Sequence, residues 1–162
     1  MIKVAIGTEQ YQFVRALEWL DKAIDDGIIP QDEEILVQAG STKYKPRNKT
    51  IKMSTIVPYQ QQMDEFKEAR VCIIHAGIGN VLDMVDLNRV PIVIPRDPLR
   101  KEHIDAHQLE FCEVAKDELH LPVVYTYNEF VAALQNYNPT QTFPTFKQQL
   151  VEYLVGVVEG VR

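Results

Sequence analysis

Val71-Cys72-Ile73-Ile74-His75-Ala76-Gly77-Ile78-Gly79-Asn80 reads as a buried strand that breaks at a glycine turn and enters a helix. Val71 to Ile74 is wholly apolar, as expected of a strand covered on both faces of a parallel sheet. Gly77 and Gly79 make the turn, and Val81, Leu82 and Val85 form the buried face of a helix from Asn80 to Leu87.

Strands and helices alternate on either side of this stretch, with no internal repeat. Ile2 to Ile6 is a strand ending at Gly7-Thr8, followed by helical spacing of Phe13, Leu17, Leu20 and Ile24 over Tyr11 to Asp26, with Gly27 as the stop. Glu34 to Ala39 and Thr50 to Val57 read as strands, and Tyr59 to Ala69 as a helix with Met63 and Phe66 facing inward. Pro91 to Ile94 is a fifth strand, and a helix from about His103 to Asp117 follows a polar loop. Pro122 to Tyr125 reads as a sixth strand, Asn128 as the N-cap of a helix over Glu129 to Leu134, and about 145–158 as a final helix. Strands alternating with helices predict an α/β Rossmann-like three-layer sandwich around a mostly parallel six-stranded sheet. Residues 1–162 are expected to form one domain.

The 162 residues are 46% hydrophobic and 25% charged, an ordinary globular balance. A formal charge of −6 argues against bulk nucleic-acid binding. No apolar run approaches the roughly 20 residues of a membrane span. The start, Met-Ile-Lys-Val-Ala-Ile, enters a strand without the pattern of a signal peptide. Cys72 and Cys112 sit in apolar contexts forty residues apart; a disulfide between them is possible, but they are expected to be buried thiols of a cytosolic protein.

Right-handed crossovers put the strand-to-helix loops on one sheet edge, where ligands of open α/β sheets bind. Four loops meet there: Gly7 to Gln10, Gly40 to Lys52, His75 to Asn80, and Arg96 to His103. A glycine turn at a helix N-terminus suits a phosphate, because free N–H groups and the helix dipole point at it. The turn lacks the Lys-Ser/Thr of Walker A and the third glycine of the dinucleotide fingerprint, so spacing alone leaves a plain structural turn equally open. Asp83 could accept from ribose hydroxyls or simply favour the helix dipole. His103 and His107, at i and i+4, could chelate a metal, but no third ligand is evident. They read better as polar residues facing a cleft, and His120 as a solvated helix end. No nucleophile elbow is present, and Cys72 lies inside a strand. Lys43, Lys45, Arg47, Lys49 and Lys52 form a basic segment expected on the ligand edge, toward anionic lipid headgroups, a pyrophosphate or an acidic partner, or simply solvated. Phe146, Leu150, Tyr153, Leu154, Val157, Val158 and Val161 give the last helix a wide apolar stripe, for its own sheet or for a partner.

Met1 to Glu9, Pro58-Tyr59, His75 to Asn80, Pro95-Arg96, and Glu102-His103 to His107-Gln108 together resemble the glycosyltransferase family 28 C-terminal domain, in order and spacing, from residue 1 to about 135. The closest likeness is to its stand-alone form, the soluble subunit of eukaryotic N-glycan synthesis or of PssE-type bacterial exopolysaccharide synthesis. The resemblance implies the sugar-nucleotide lobe of an inverting GT-B enzyme, with no cofactor or essential metal and a UDP-sugar as donor substrate. It implies diphosphate contacts at Gly77, Gly79 and Asn80, completed by Gly7 and Thr8, and ribose contact at Asp83. His107 and Gln108 would face sugar or diphosphate, His75 and Arg96 would join the UDP-sugar site, and Ile56 to Tyr59 would lie near uracil. Asn80 stands where Ser is usual and Asp83 where Glu is usual. It also implies a membrane-anchored, PssD-like acceptor-binding subunit and a lipid-linked saccharide acceptor. The catalytic base would then lie on that partner, and the chain at the inner face of the membrane, in the cytoplasm. The alternatives are a non-catalytic regulatory module of the same shape and, more remotely, another UDP-sugar enzyme such as an epimerase.

Overall fold

The computed structural model describes residues 1–144 and 147–158. Five parallel strands, β1 (Ile2–Ala5), β2 (Ile35–Gln38), β3 (Ile51–Ser54), β4 (Val71–His75) and β5 (Ile92–Ile94), lie in the order β3-β2-β1-β4-β5. Six helices accompany them: α1 (Val14–Asp25), α2 (Tyr59–Glu68), α3 (Ile78–Leu87), α4 (His107–Glu118), α5 (Tyr127–Gln135) and α6 (Lys147–Val158). The chain is therefore α/β and Rossmann-like, with strand order reversing between β1 and β4.

Side-chain alternation along the strands divides the core in two. Ile2, Val4, Ile35, Val37, Ile73 and Ile92 meet Leu17, Leu20 and Ile24 of α1 and Phe130 of α5. Ala5, Cys72, Ile74 and Val93 on the other face meet Phe66, Met84, Val85, Phe111 and Ala115 of α2, α3 and α4. Lys3 belongs to this second face. It is fully buried, with its ammonium 2.9 Å from Glu65 Oε1 and over the Phe66 ring. Both cysteines are buried free thiols; burial raises both, Cys112 to about 12.

Several sequence expectations are corrected. The sheet has five strands, not six, because Pro122–Tyr125 makes only a single bridge, Val93 to Val123. Val93 N–H donates to Pro122 O and Val124 N–H to Val93 O, but Pro122 has no N–H to extend the ladder. The following helix is capped by Thr126 rather than Asn128. Thr126 Oγ1 accepts from Glu129 N–H at 3.1 Å, and the Thr126 hydroxyl donates back to the Glu129 carboxylate at 3.2 Å. Helix α1 begins at Val14, not Tyr11, and α3 at Ile78, not Asn80. Helix α4 begins at His107, so His103 is not on it. Asp105 stops the earlier turns and accepts from His107 N–H at 3.0 Å. His120 is exposed, with φ +53° just past the end of α4.

Only the start of the basic segment stays by the ligand edge, where Lys43 N–H donates to Gln12 Oε1 at 2.6 Å. The β2–β3 connection runs back along α1, drawn there by the buried Asp21 carboxylate. This accepts from Tyr44 OH at 2.5 Å, from the N–H groups of Arg47 and Asn48 at 3.0 Å each, and from Asn48 Nδ2 at 2.8 Å. Burial alone would raise Asp21, but those donors outweigh it and hold it below the usual carboxylate range. Arg47 pairs with Asp25 and Lys52 with Glu34, so neither is a free cation. In α6, Leu154 is fully buried in the second core, so this position of the stripe serves the protein's own fold. Phe146 and Val161 lie outside the described residues, as do the side chains of Leu150, Val157 and Val158.

Candidate functional site

The loop after β1 and the loop after β4 face each other where the strand order reverses, the place open α/β sheets reserve for ligands. A cleft of about 310 Å³ opens there, lined by Gly7, Thr8, Glu9, Gln38, His75, Gly77, Ile78, Gly79, Asn80 and Asp83. A second hollow of about 200 Å³ adjoins it, sharing Glu9, Gly77 and Ile78 and adding His103, His107, Gln108 and Phe111.

His75 forms the floor between them. Its ring is buried and wedged between two glycines: a Cβ on Gly7 would lie 2.7 Å from His75 Cε1, and one on Gly77 2.3 Å. Gly7 also has φ +86°, which disfavours any side chain there. The two glycines thus make room for an imidazole, and both also line the cleft. Gly79 differs: a Cβ there meets nothing within 4 Å, so its backbone faces open cleft.

The ring is tied at both nitrogens, with Nε2 2.9 Å from Asn80 Oδ1 and Nδ1 3.1 Å from Gln108 Nε2. Burial, and then the nearby Arg96 charge, push His75 down to about 3, so it is neutral at physiological pH. Gln108 is itself buried, its Oε1 accepting from the N–H groups of Ala76 at 3.2 Å and Arg96 at 3.0 Å.

Helix α3 starts at the cleft without a side-chain cap. Its first backbone bond runs from Val81 N–H to Gly77 O, leaving the N–H groups of Ile78, Gly79 and Asn80 without an acceptor among the described residues. One turn on, Asp83 faces the same cleft. Burial raises its carboxyl, and its Oδ1 accepts a 3.3 Å bond from Tyr59 OH. Tyr59 and Ile56 are exposed, 62% and 70%, beside this end of the cleft. The arrangement offers N–H donors and a helix dipole to an anion, a carboxylate to hydroxyls, and an apolar rim to a flat ring.

Of the residues expected at the site, Gly7, Thr8, His75, Gly77, Gly79, Asn80 and Asp83 line the larger cleft, and His107 and Gln108 the smaller. Arg96 is corrected. It is fully buried beneath the loops, where Nη1 donates to Tyr11 O and Glu102 O at 2.8 Å each and Nη2 donates to Ile6 O. It ties the loop after β1 to the loop after β5 and presents no surface to a ligand. Glu102 works with it, taking a two-point bond from Arg15 at 2.9 and 3.0 Å and a backbone bond from Asp97. Glu102 belongs to the Glu102-His103 stretch singled out in the sequence, but its pairing with Arg15 was not foreseen, since charges 87 positions apart carry no local pattern. Glu9, at the junction of the two hollows, was also missed, though it follows Gly7-Thr8 directly. His103 stacks on Tyr11, ring centroids 6.5 Å apart. No group of three metal-ligating side chains occurs among the described residues.

The family model described as glycosyltransferase family 28 C-terminal domain matches residues 1–151. No curated protein and no solved structure matches the chain. No helix among the described residues is long and apolar enough to cross a membrane.

Proposed function

The chain belongs to glycosyltransferase family 28, whose C-terminal domain spans all but its last residues, and on that premise we propose what this donor-binding domain holds and serves. It is the donor-binding subunit of a heteromeric, inverting hexosyltransferase. It takes a sugar from a UDP-sugar and transfers it to a lipid-diphosphate-linked saccharide, in exopolysaccharide or related glycan synthesis. The acceptor is presented by a membrane-anchored, PssD-like partner, which brings the protein to the inner face of the membrane. The observation that carries the reading is the uncapped start of α3, with open space over Gly79 and the Asp83 carboxylate one turn away.

In this reading the N–H groups of Ile78, Gly79 and Asn80 receive the diphosphate. They are fixed before the sugar leaves, so they stabilise the charge that grows on departing UDP without reorganising. Asp83 accepts from ribose hydroxyls and sets the angle of the nucleotide. Tyr59 and Ile56 flank the base, while His103 and His107 border the hollow toward the sugar. No group of this domain is assigned as catalytic base.

The test is sugar transfer by the chain co-expressed with its membrane partner. Asp83→Ala is expected to abolish transfer while the complex still forms. Undiminished transfer by that variant would refute the assignment. Wild-type binding of UDP without any transfer would instead favour a regulatory module.

A further inference from the structure

We propose that His75 and Gln108 act as positioning residues that lock the Asn80 amide with its NH₂ toward the cleft, making Asn80 a fixed donor to a diphosphate oxygen. This inference rests on the reading of the cleft as a UDP-sugar site. The argument starts from two donors whose identity is not in question, the backbone N–H groups of Ala76 and Arg96. Both point at one atom of the Gln108 amide, which must therefore be its oxygen. The other end, the NH₂, then faces His75 Nδ1 at 3.1 Å and can only donate.

Nδ1 is thereby the acceptor of the imidazole. A neutral ring has one acceptor and one N–H, so the proton sits on Nε2. Nε2–H donates to the Asn80 atom 2.9 Å away, which must be Oδ1. The Asn80 NH₂ is left over, with no partner among the described residues, in a cleft that also holds the unpaired N–H groups of α3. Three side chains in series, Gln108, His75 and Asn80, thus turn two backbone N–H groups into a donor at the cleft. A hydroxyl side chain at position 80 could rotate to donate or accept. The amide cannot, because rotating it would set its NH₂ against Nε2–H.

Asn80→Asp and Gln108→Glu test this from both ends. An aspartate at 80 still accepts from Nε2–H but turns an anionic oxygen on the diphosphate. A glutamate at 108 still accepts from the two backbone groups, but its second oxygen can only accept, so the ring must present an Nδ1–H to it. That moves the ring to the other tautomer, and the Asn80 amide must flip to present its oxygen. The probe is UDP, by isothermal titration calorimetry at pH 7, with the ring ¹⁵N shifts of His75 read by NMR on the same samples. The expected result is an Nε2-protonated ring in wild type, an Nδ1-protonated ring in Gln108→Glu, and UDP affinity lower by about tenfold or more in both variants. Loss of affinity through mere unfolding would not move the tautomer, and an aspartate in the first turn of α3 favours the helix. An Nδ1-protonated ring in wild type that binds UDP overturns the positioning role alone. UDP affinity unchanged in Asn80→Asp overturns the donor role. A wild type with the Nε2 proton that binds no UDP overturns the functional reading, and the donor role with it.

Discussion

Gly77→Ala and Gly79→Ala should move stability in opposite directions, although the two glycines are two residues apart. At Gly77 the new methyl would sit 2.3 Å from Cε1 of His75. The ring cannot retreat, because Gly7 closes the other side and Asn80 and Gln108 hold both nitrogens. Overpacking of this kind costs about 1–3 kcal/mol. At Gly79 the methyl meets nothing within 4 Å, in the first turn of α3, where alanine is better than glycine by up to about 0.5–1 kcal/mol. For a chain of this size 1 kcal/mol moves Tm by about 2–4 °C. Gly77→Ala is therefore expected to lower Tm by about 2–12 °C and Gly79→Ala to raise it by about 1–4 °C, by calorimetric scan. The second methyl projects into the space assigned to the diphosphate, so the more stable variant is expected to bind UDP more weakly. A destabilised Gly79→Ala, or a Gly77→Ala as stable as wild type, would refute the packing of the turn around His75.

The buried imidazole also sets a pH dependence. Its folded value, about 3, lies below the ordinary value of 6.5, so the unfolded chain takes up the proton first. The stability it contributes is complete above about pH 6.5 and declines as pH falls, by up to about 1.4 kcal/mol per unit. The lowered carboxylates Asp21 and Glu33 act in the same direction only near and below their ordinary values of 3.8 and 4.5, and the raised Asp83 carboxyl acts in the opposite sense above 3.8, so urea midpoints between pH 6.5 and 5 in an Asp83→Ala background isolate His75. A flat midpoint over that window would contradict its neutral burial. Asp21→Asn is expected to cost about 2 kcal/mol in urea unfolding, because the amide offers one acceptor oxygen to donors that now share two. No loss of stability would show that the β2–β3 connection is held by other contacts. Lys3→Met should be neutral or stabilising, whereas Glu65→Ala should cost about 3 kcal/mol by stranding the buried ammonium. Equal losses from the two would overturn that account.

The layers and most of the cleft were legible in the sequence because they rest on local signals. Val71 to Ile74 has no polar residue, Leu17, Leu20 and Ile24 keep helical spacing, and glycine turns follow β1 and β4. What escaped depends on long-range partners. Arg96 carries the same charge whether it faces a phosphate or three carbonyls, and only the fold shows that Ile6, Tyr11 and Glu102 surround it. Gly77 looked like a phosphate glycine, yet the atom that excludes a side chain there belongs to His75. Asp21 sits on an amphipathic helix where an acid usually meets solvent, so its capture of the loop at Tyr44 to Asn48 had no local mark. Thr126-x-x-Glu129 was a readable capping box, missed because Asn128 stood nearer the apolar residues. Pro122 carried the warning that the last apolar run could not make a full strand.

Calorimetric titration of UDP into the wild-type protein and into Asp83→Ala tests the central claim most directly. Asp83 is a half-buried cleft residue whose only side-chain bond among the described residues is the one from Tyr59, so its loss should leave Tm nearly unchanged. The account predicts saturable one-site binding by wild type, and affinity at least about tenfold lower in the variant. No saturable binding of UDP by wild type, or equal binding by the two proteins, would contradict it.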